Sequence, residues 1–108
     1  MSKQEKLKAF ALEMKEGFQL VKQKKDHEAI EKLSPFVTLM KQSGANQIRL
    51  FVYYSIAQIR TGDIEGFLST YEQTKQMKPN TDEEQELLNE MDKLFFDLME
   101  ELGQKENQ

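Results

Sequence analysis

The sequence predicts an all-α fold, and three observations carry the prediction. Lys, Glu, Gln, Leu and Met, all good helix formers, dominate the 108 residues. The two prolines and five glycines are few enough to act as punctuation. No stretch alternates strictly between apolar and polar residues between turn signals, so no strand is expected.

The first helix is expected over about Ser2 to Lys24. Leu7, Phe10, Ala11, Met14, Phe18 and Val21 recur at three- and four-residue spacing and mark one narrow apolar face. Lys22, Lys24 and Lys25 crowd its C-terminus, where cations suit the helix dipole. Asp26 is the expected N-cap of a second helix starting at His27. That helix meets Pro35, which removes a hydrogen bond and crowds the preceding turn, so a kink or break is expected before it ends near Gln42. Ser43, Gly44, Ala45 and Asn46 supply the next connection.

The third helix, about Asn46 to Arg60, carries Ile48, Leu50, Phe51, Val52, Tyr53, Tyr54, Ile56, Ala57 and Ile59 and keeps almost no polar face. A helix apolar all round belongs among other helices, so this one should form the centre of the fold. Gly62 is the expected C-terminal stop, Asp63 starts a fourth helix with Phe67, Leu68, Tyr71 and Met77, and Pro79-Asn80 closes it. Thr81 to Glu84 reads as a capping box for a long last helix. Leu88, Met91, Phe95, Leu98 and Leu102 continue that helix until Gly103, which should end it. One domain over residues 1–103 follows, with 104–108 as a frayed tail.

Residues 61–80, TGDIEGFLSTYEQTKQMKPN, resemble the second half of a tetratricopeptide repeat (TPR) without gaps. Gly62-Asp63 stands at the turn, Tyr71 at the aromatic position and Pro79 at the closing proline. Upstream, Phe51, Tyr54 and Ser55 fall where that repeat has a large aromatic, a leucine and a small residue. An earlier copy follows in the same frame, with Gly17, Leu20, Ala29 and Leu33 thirty-eight positions before Ser55, Gln58, Phe67 and Tyr71. The chain departs from the pattern where Phe67 replaces a small residue, Gln58 a tyrosine, and Lys24-Lys25 the Gly-Asp of the turn. Pro35 interrupts a helix that is normally continuous, and the period exceeds the usual one of about 34 residues. The resemblance implies two TPR-like helical hairpins plus a long C-terminal capping helix. A bundle of unrelated ancestry is the alternative.

The resemblance also implies a concave face built from the first helix of each hairpin. That face would present Ala11, Met14, Phe18, Val21 and Lys22, then Arg49, Val52, Ile56, Ile59 and Arg60. Positions where some TPR domains hold a carboxylate with Lys and Asn are here the apolar Met14, Phe18, Val52 and Ile56. An apolar helix or peptide segment is therefore the expected ligand. So much contiguous apolar surface needs cover, and the acidic last helix is the expected lid over part of it. Phe96 falls outside the apolar sector of that helix and is a candidate for contact beyond the monomer.

Composition narrows the function classes. With 38% hydrophobic and 31% charged residues the chain can fold and stay dissolved. No apolar run approaches the roughly 18 residues of a membrane span, and the start MSKQEKLK has no signal-peptide core. With no Cys, a disulfide framework and a thiol nucleophile are absent, and a cytoplasmic location is expected. His27 is the only histidine and has neither a Glu three residues before it nor triad-like context, so no catalytic residue, metal or cofactor is expected. Asp82, Glu83, Glu84, Glu86 and Glu90 lack the loop that wraps a calcium ion.

Residues 1–60 carry eleven Lys/Arg against six Asp/Glu, a balance of +5, and residues 61–108 carry four against thirteen, a balance of −9. The N-terminal lysines interleave with Glu5, Glu13 and Glu16, which makes a solvated face rather than a phosphate track, so no nucleic acid partner is expected. The expected function is a non-enzymatic protein–protein interaction module, a small regulator or adaptor. A homodimer through the C-terminal helix is the alternative, and an acidic mimic of nucleic acid a weaker one.

Overall fold

The computed structural model describes residues 2–44 and 47–106, the side chains of 104–106 excepted. Five helices follow one another: α1 (Lys3–Lys22), α2 (Asp26–Ser43), α3 (Ile48–Arg60), α4 (Ile64–Lys75) and α5 (Asp82–Glu106), with no strand among the described residues. The fold is all-α, and no described helix is long and apolar enough to cross a membrane.

Helices α1 and α2 form one antiparallel hairpin, α3 and α4 a second, and α5 lies against α3 and α4. Only α3 touches every other helix, as its near-continuous apolar sequence requires. One of its sides joins Val21, Ala29, Leu33, Phe36 and Val37 through Leu50, Phe51 and Ala57. The other joins Phe67, Leu87, Leu88, Met91 and Leu98 through Ile48 and Val52. Phe18 and Val21 of α1 meet Tyr53 and Arg60 of α3, and Arg49 and Ile59 of α3 meet Glu83 and Leu94 of α5, so the three run parallel in one layer with α3 in the middle. The molecule is elongated, 58 × 28 × 24 Å.

The two hairpins turn in the same way. At the end of α3, Asp63 N–H donates to the Gln58 carbonyl (2.9 Å) and Gly62 N–H to Ile59 (3.2 Å), with Gly62 at φ 86°. At the end of α1, Lys25 N–H donates to Leu20 (2.9 Å) and Lys24 N–H to Val21 (3.0 Å), with Lys24 at φ 62°. Both are Schellman turns, at positions 24 and 62, and a lysine fills the left-handed place that glycine occupies in the second. Lys24→Gly is expected to stabilise the chain by roughly 0.5–1 kcal/mol, because a Cβ is strained there. Urea unfolding of the two proteins checks it, and a loss of stability would contradict the assignment.

Small residues set the spacing inside the hairpins. A Cβ on the buried Gly17 would run into the side chain of Leu33, so α1 and α2 approach as closely as the glycine allows. In the second hairpin the buried Gln58 accepts from the Thr70 hydroxyl (2.8 Å), which satisfies a polar pair between α3 and α4.

Several boundaries differ from expectation. Helix α2 runs unbroken through Pro35, whose ring is exposed while Leu33, Phe36 and Val37 beside it are buried. The missing hydrogen bond falls at the exposed Glu31 carbonyl, within reach of water, and core packing outweighs it. Asp26 is the first residue of α2 rather than its cap; Lys25 takes the cap position without a side-chain bond. Gly103 does not end α5, which continues to Glu106, so the expected tail is helical through 106, while 107–108 lie outside the described residues. The connection expected over residues 43–46 includes 45 and 46, which also lie outside them.

The capping box at α5 holds with one shift. Glu84 N–H donates to the Thr81 hydroxyl (3.1 Å), but the Glu84 carboxylate accepts from Asn80 N–H (2.7 Å), one residue before the cap.

Helix α5 is latched to α4 by Tyr71. Its ring stacks on Phe95 at 4.3 Å, and its hydroxyl donates to Asp92 (2.7 Å), which also pairs with Lys75 (3.0 Å). Burial, together with the bond to Asp92 and that carboxylate's charge, pushes the phenol from 10.0 up to about 12. The folded chain therefore holds this proton at pH values where the unfolded chain releases it. The contribution of the phenol is complete below about pH 10 and is lost as pH rises toward 12. In urea titrations across that window, wild type is expected to lose more stability than Tyr71→Phe. Parallel curves would contradict the latch.

Candidate functional site

Because α1 and α5 do not touch, a channel opens between them with α3 as its floor. It includes a groove of about 660 Å³. Met14, Lys15, Phe18 and Lys22 of α1 form one wall, Arg49 and Tyr53 of α3 the floor, and Thr81, Glu83 and Glu84 at the start of α5 the other wall. Phe18 and Tyr53 stack at 4.9 Å, 24° apart, and the Lys22 ammonium stands 5.9 Å from the Tyr53 ring. These rings give the groove an apolar base that is only partly covered.

The two walls differ in charge. Arg49 is taken up by an ion pair with Glu83, and Glu84 is occupied by the Asn80 amide. Lys15 and Lys22 form no ion pair among the described residues. Glu84 keeps its charge beside that neutral amide, so the lining of Lys15, Lys22, Arg49, Glu83 and Glu84 sums to +1, with the unpaired cations on α1 and one unpaired carboxylate on the α5 side.

Met14, Phe18, Lys22 and Arg49 thus stand together, as the sequence suggests. Val21 and Val52 do not: they are 2% and 0% exposed and belong to the two core clusters, because α2 closes over the first and α5 over the second. Neither presents surface to a ligand. Ile56 is half-buried against both clusters. Ile59 and Arg60 border a separate shallow recess of about 300 Å³ with Ile64, Leu94 and Leu98. Arg60 also ties the hairpins together, donating to the Val21 carbonyl (3.1 Å) and to Asp26 (3.2 Å). Phe96 is 64% exposed, its ring edge-on to Phe95.

The sequence analysis did not assign Tyr53, Lys15, Glu83 or Glu84 to the site. Tyr53 was legible in principle, since it lies four residues after Arg49 and so on the same side of α3. The acidic wall was not, because it depends on where the first turn of α5 comes to rest. Among the described residues no group of three or more His, Cys, Asp or Glu could hold a metal ion. No family model matches the chain, and neither does any characterised protein or solved structure.

Proposed function

We propose that this chain is a non-enzymatic protein–protein interaction module of TPR-like plan, whose groove between α1 and the start of α5 takes an apolar helical segment bearing carboxylates. The observation that carries this reading is the half-open Phe18–Tyr53 base beside two unpaired lysines. Apolar anchors enter such clefts, and charges at the rim choose among ligands. The repeat plan draws support from the matching turns at Lys24 and Gly62 and from the close approach at Gly17. The α1–α3–α5 layer leaves about one helix diameter between its outer members, since packed helices lie roughly 8–10 Å apart.

A fluorescein-labelled amphipathic helical peptide with a leucine stripe flanked by glutamates is a suitable probe. Fluorescence polarisation is expected to show saturable binding. Phe18→Ser should weaken it at least about tenfold, which corresponds to about 1.4 kcal/mol. A glutamine-for-glutamate peptide should bind more weakly than the acidic one. Equal binding by wild type and Phe18→Ser would rule out the groove as the binding site.

A further inference from the structure

Helices α1 and α5 are the two edges of the parallel layer, and each exposes large apolar residues: Leu7, Phe10 and Leu12 on α1, Phe96 and Met99 on α5. Leu12, 58% exposed, and Phe96, 64% exposed, are the ones opposite a buried core residue of their own helix. Leu12 lies nine residues before the buried Val21, and Phe96 nine after the buried Leu87. At about 100° per residue, nine residues reverse the side of a helix, so both stand on the flank turned away from the core.

The two flanks are opposite in charge. Leu12 has Lys8 and Lys15 one turn to either side, and neither forms an ion pair among the described residues. On the same flank Glu16 is taken by Lys32 at 3.1 Å, while Glu5, two turns away, and Glu13, next to Leu12, are exposed. Phe96 has Asp97 and Glu100 beside it, both without an ion pair among the described residues, against the single cation Lys93. Over whole helices, α1 holds five Lys against three Glu, and α5 ten Asp/Glu against two Lys. Phe96 is also held in place: it rests edge-on against Phe95, 5.7 Å away, which is itself stacked on Tyr71.

We infer that a second copy of this chain docks edge to edge, with Leu12 of one copy set beside Phe96 of the next. The contact repeats the relation by which α3 lies beside α1 and α5 beside α3, adding a parallel helix to the same layer. Apolar contact at the centre is framed by Lys8 and Lys15 on one side and Asp97 and Glu100 on the other. Since the two surfaces differ, the association is heterologous and does not stop at two chains. It uses neither Phe18 nor Tyr53, and Lys15 is the one residue it shares with the groove proposed above.

Sedimentation velocity of the full chain tests it. The mass is expected to rise above 12.7 kDa with concentration, without a plateau at two chains, and to fall back in high salt. Leu12→Ser and Phe96→Ser, each verified as folded by far-UV circular dichroism, should each remain monomeric alone. Mixed in equal amounts they should form a two-chain species and nothing larger, because each retains the edge the other lacks. Asp97→Lys with Glu100→Lys, both at exposed positions, should abolish association without touching an apolar contact. A wild type that stays monomeric at near-millimolar concentration overturns the inference. So does a mixture that stays monomeric while wild type associates, or association that survives the double charge reversal. Binding of the acidic peptide by all these variants should be unchanged, which separates this contact from the groove.

Discussion

Removing α5 by truncation after Asn80 is expected to unfold the chain or leave it as an aggregating, dye-binding species. The helix supplies Leu87, Leu88, Met91 and Leu98 to the second core cluster and covers Ile48, Val52 and Phe67, all three fully buried. Burial of each such side chain stabilises by about 1.5–3 kcal/mol. Seven of them together outweigh or match the whole stability of a small domain, about 5–15 kcal/mol. The loss also removes the Arg49–Glu83 pair and the Tyr71 latch. Circular dichroism, dye fluorescence and gel filtration of residues 1–80 check this. A monomeric fragment with the urea midpoint of the full chain would mean that α5 is an appendage.

Phe51→Ala is the point substitution with the largest expected effect, about 3–5 kcal/mol. The ring is 0% exposed and lies between the helices of the first hairpin and α3, where no neighbour is free to fill the space. Tyr54, an equal candidate from the sequence, is only half-buried, so Tyr54→Ala should cost clearly less. Urea unfolding of the two variants separates them. Equal losses would mean that Phe51 does not occupy the centre of the first cluster.

What the sequence made legible follows from which interactions are local. The five helices, the central position of α3, Gly62 as a stop and Thr81 as a cap all depend on periodicity or on bonds within a few residues. Pro35 shows the limit: a local penalty was outweighed by Leu33, Phe36 and Val37, whose burial is decided by α1 and α3. Lys24 shows another, since an αL lysine leaves no compositional mark of the turn it makes.

The site was half legible for the same reason. Met14 and Phe18 could be placed on one face of α1 from spacing alone. Val21 and Val52 have the same spacing, yet α2 and α5 bury them, and no feature of α1 or α3 by itself announces that cover. The opposed charge of the groove walls also depends on docking. Glu83 reads as a dipole-friendly residue in a first turn until its pairing with Arg49 sets it at the rim.

Amide chemical-shift mapping with the acidic amphipathic peptide tests the binding surface most directly. Addition of the peptide to the isotopically labelled chain is expected to shift Ala11, Lys15, Phe18, Lys22, Tyr53 and Glu83 together, and to leave α4 and the exposed side of α2 unmoved. Shifts confined to the region around Phe96 and Met99, or spread over α2 and α4, would contradict the assignment of the groove between α1 and α5 as the place where this protein meets its partner.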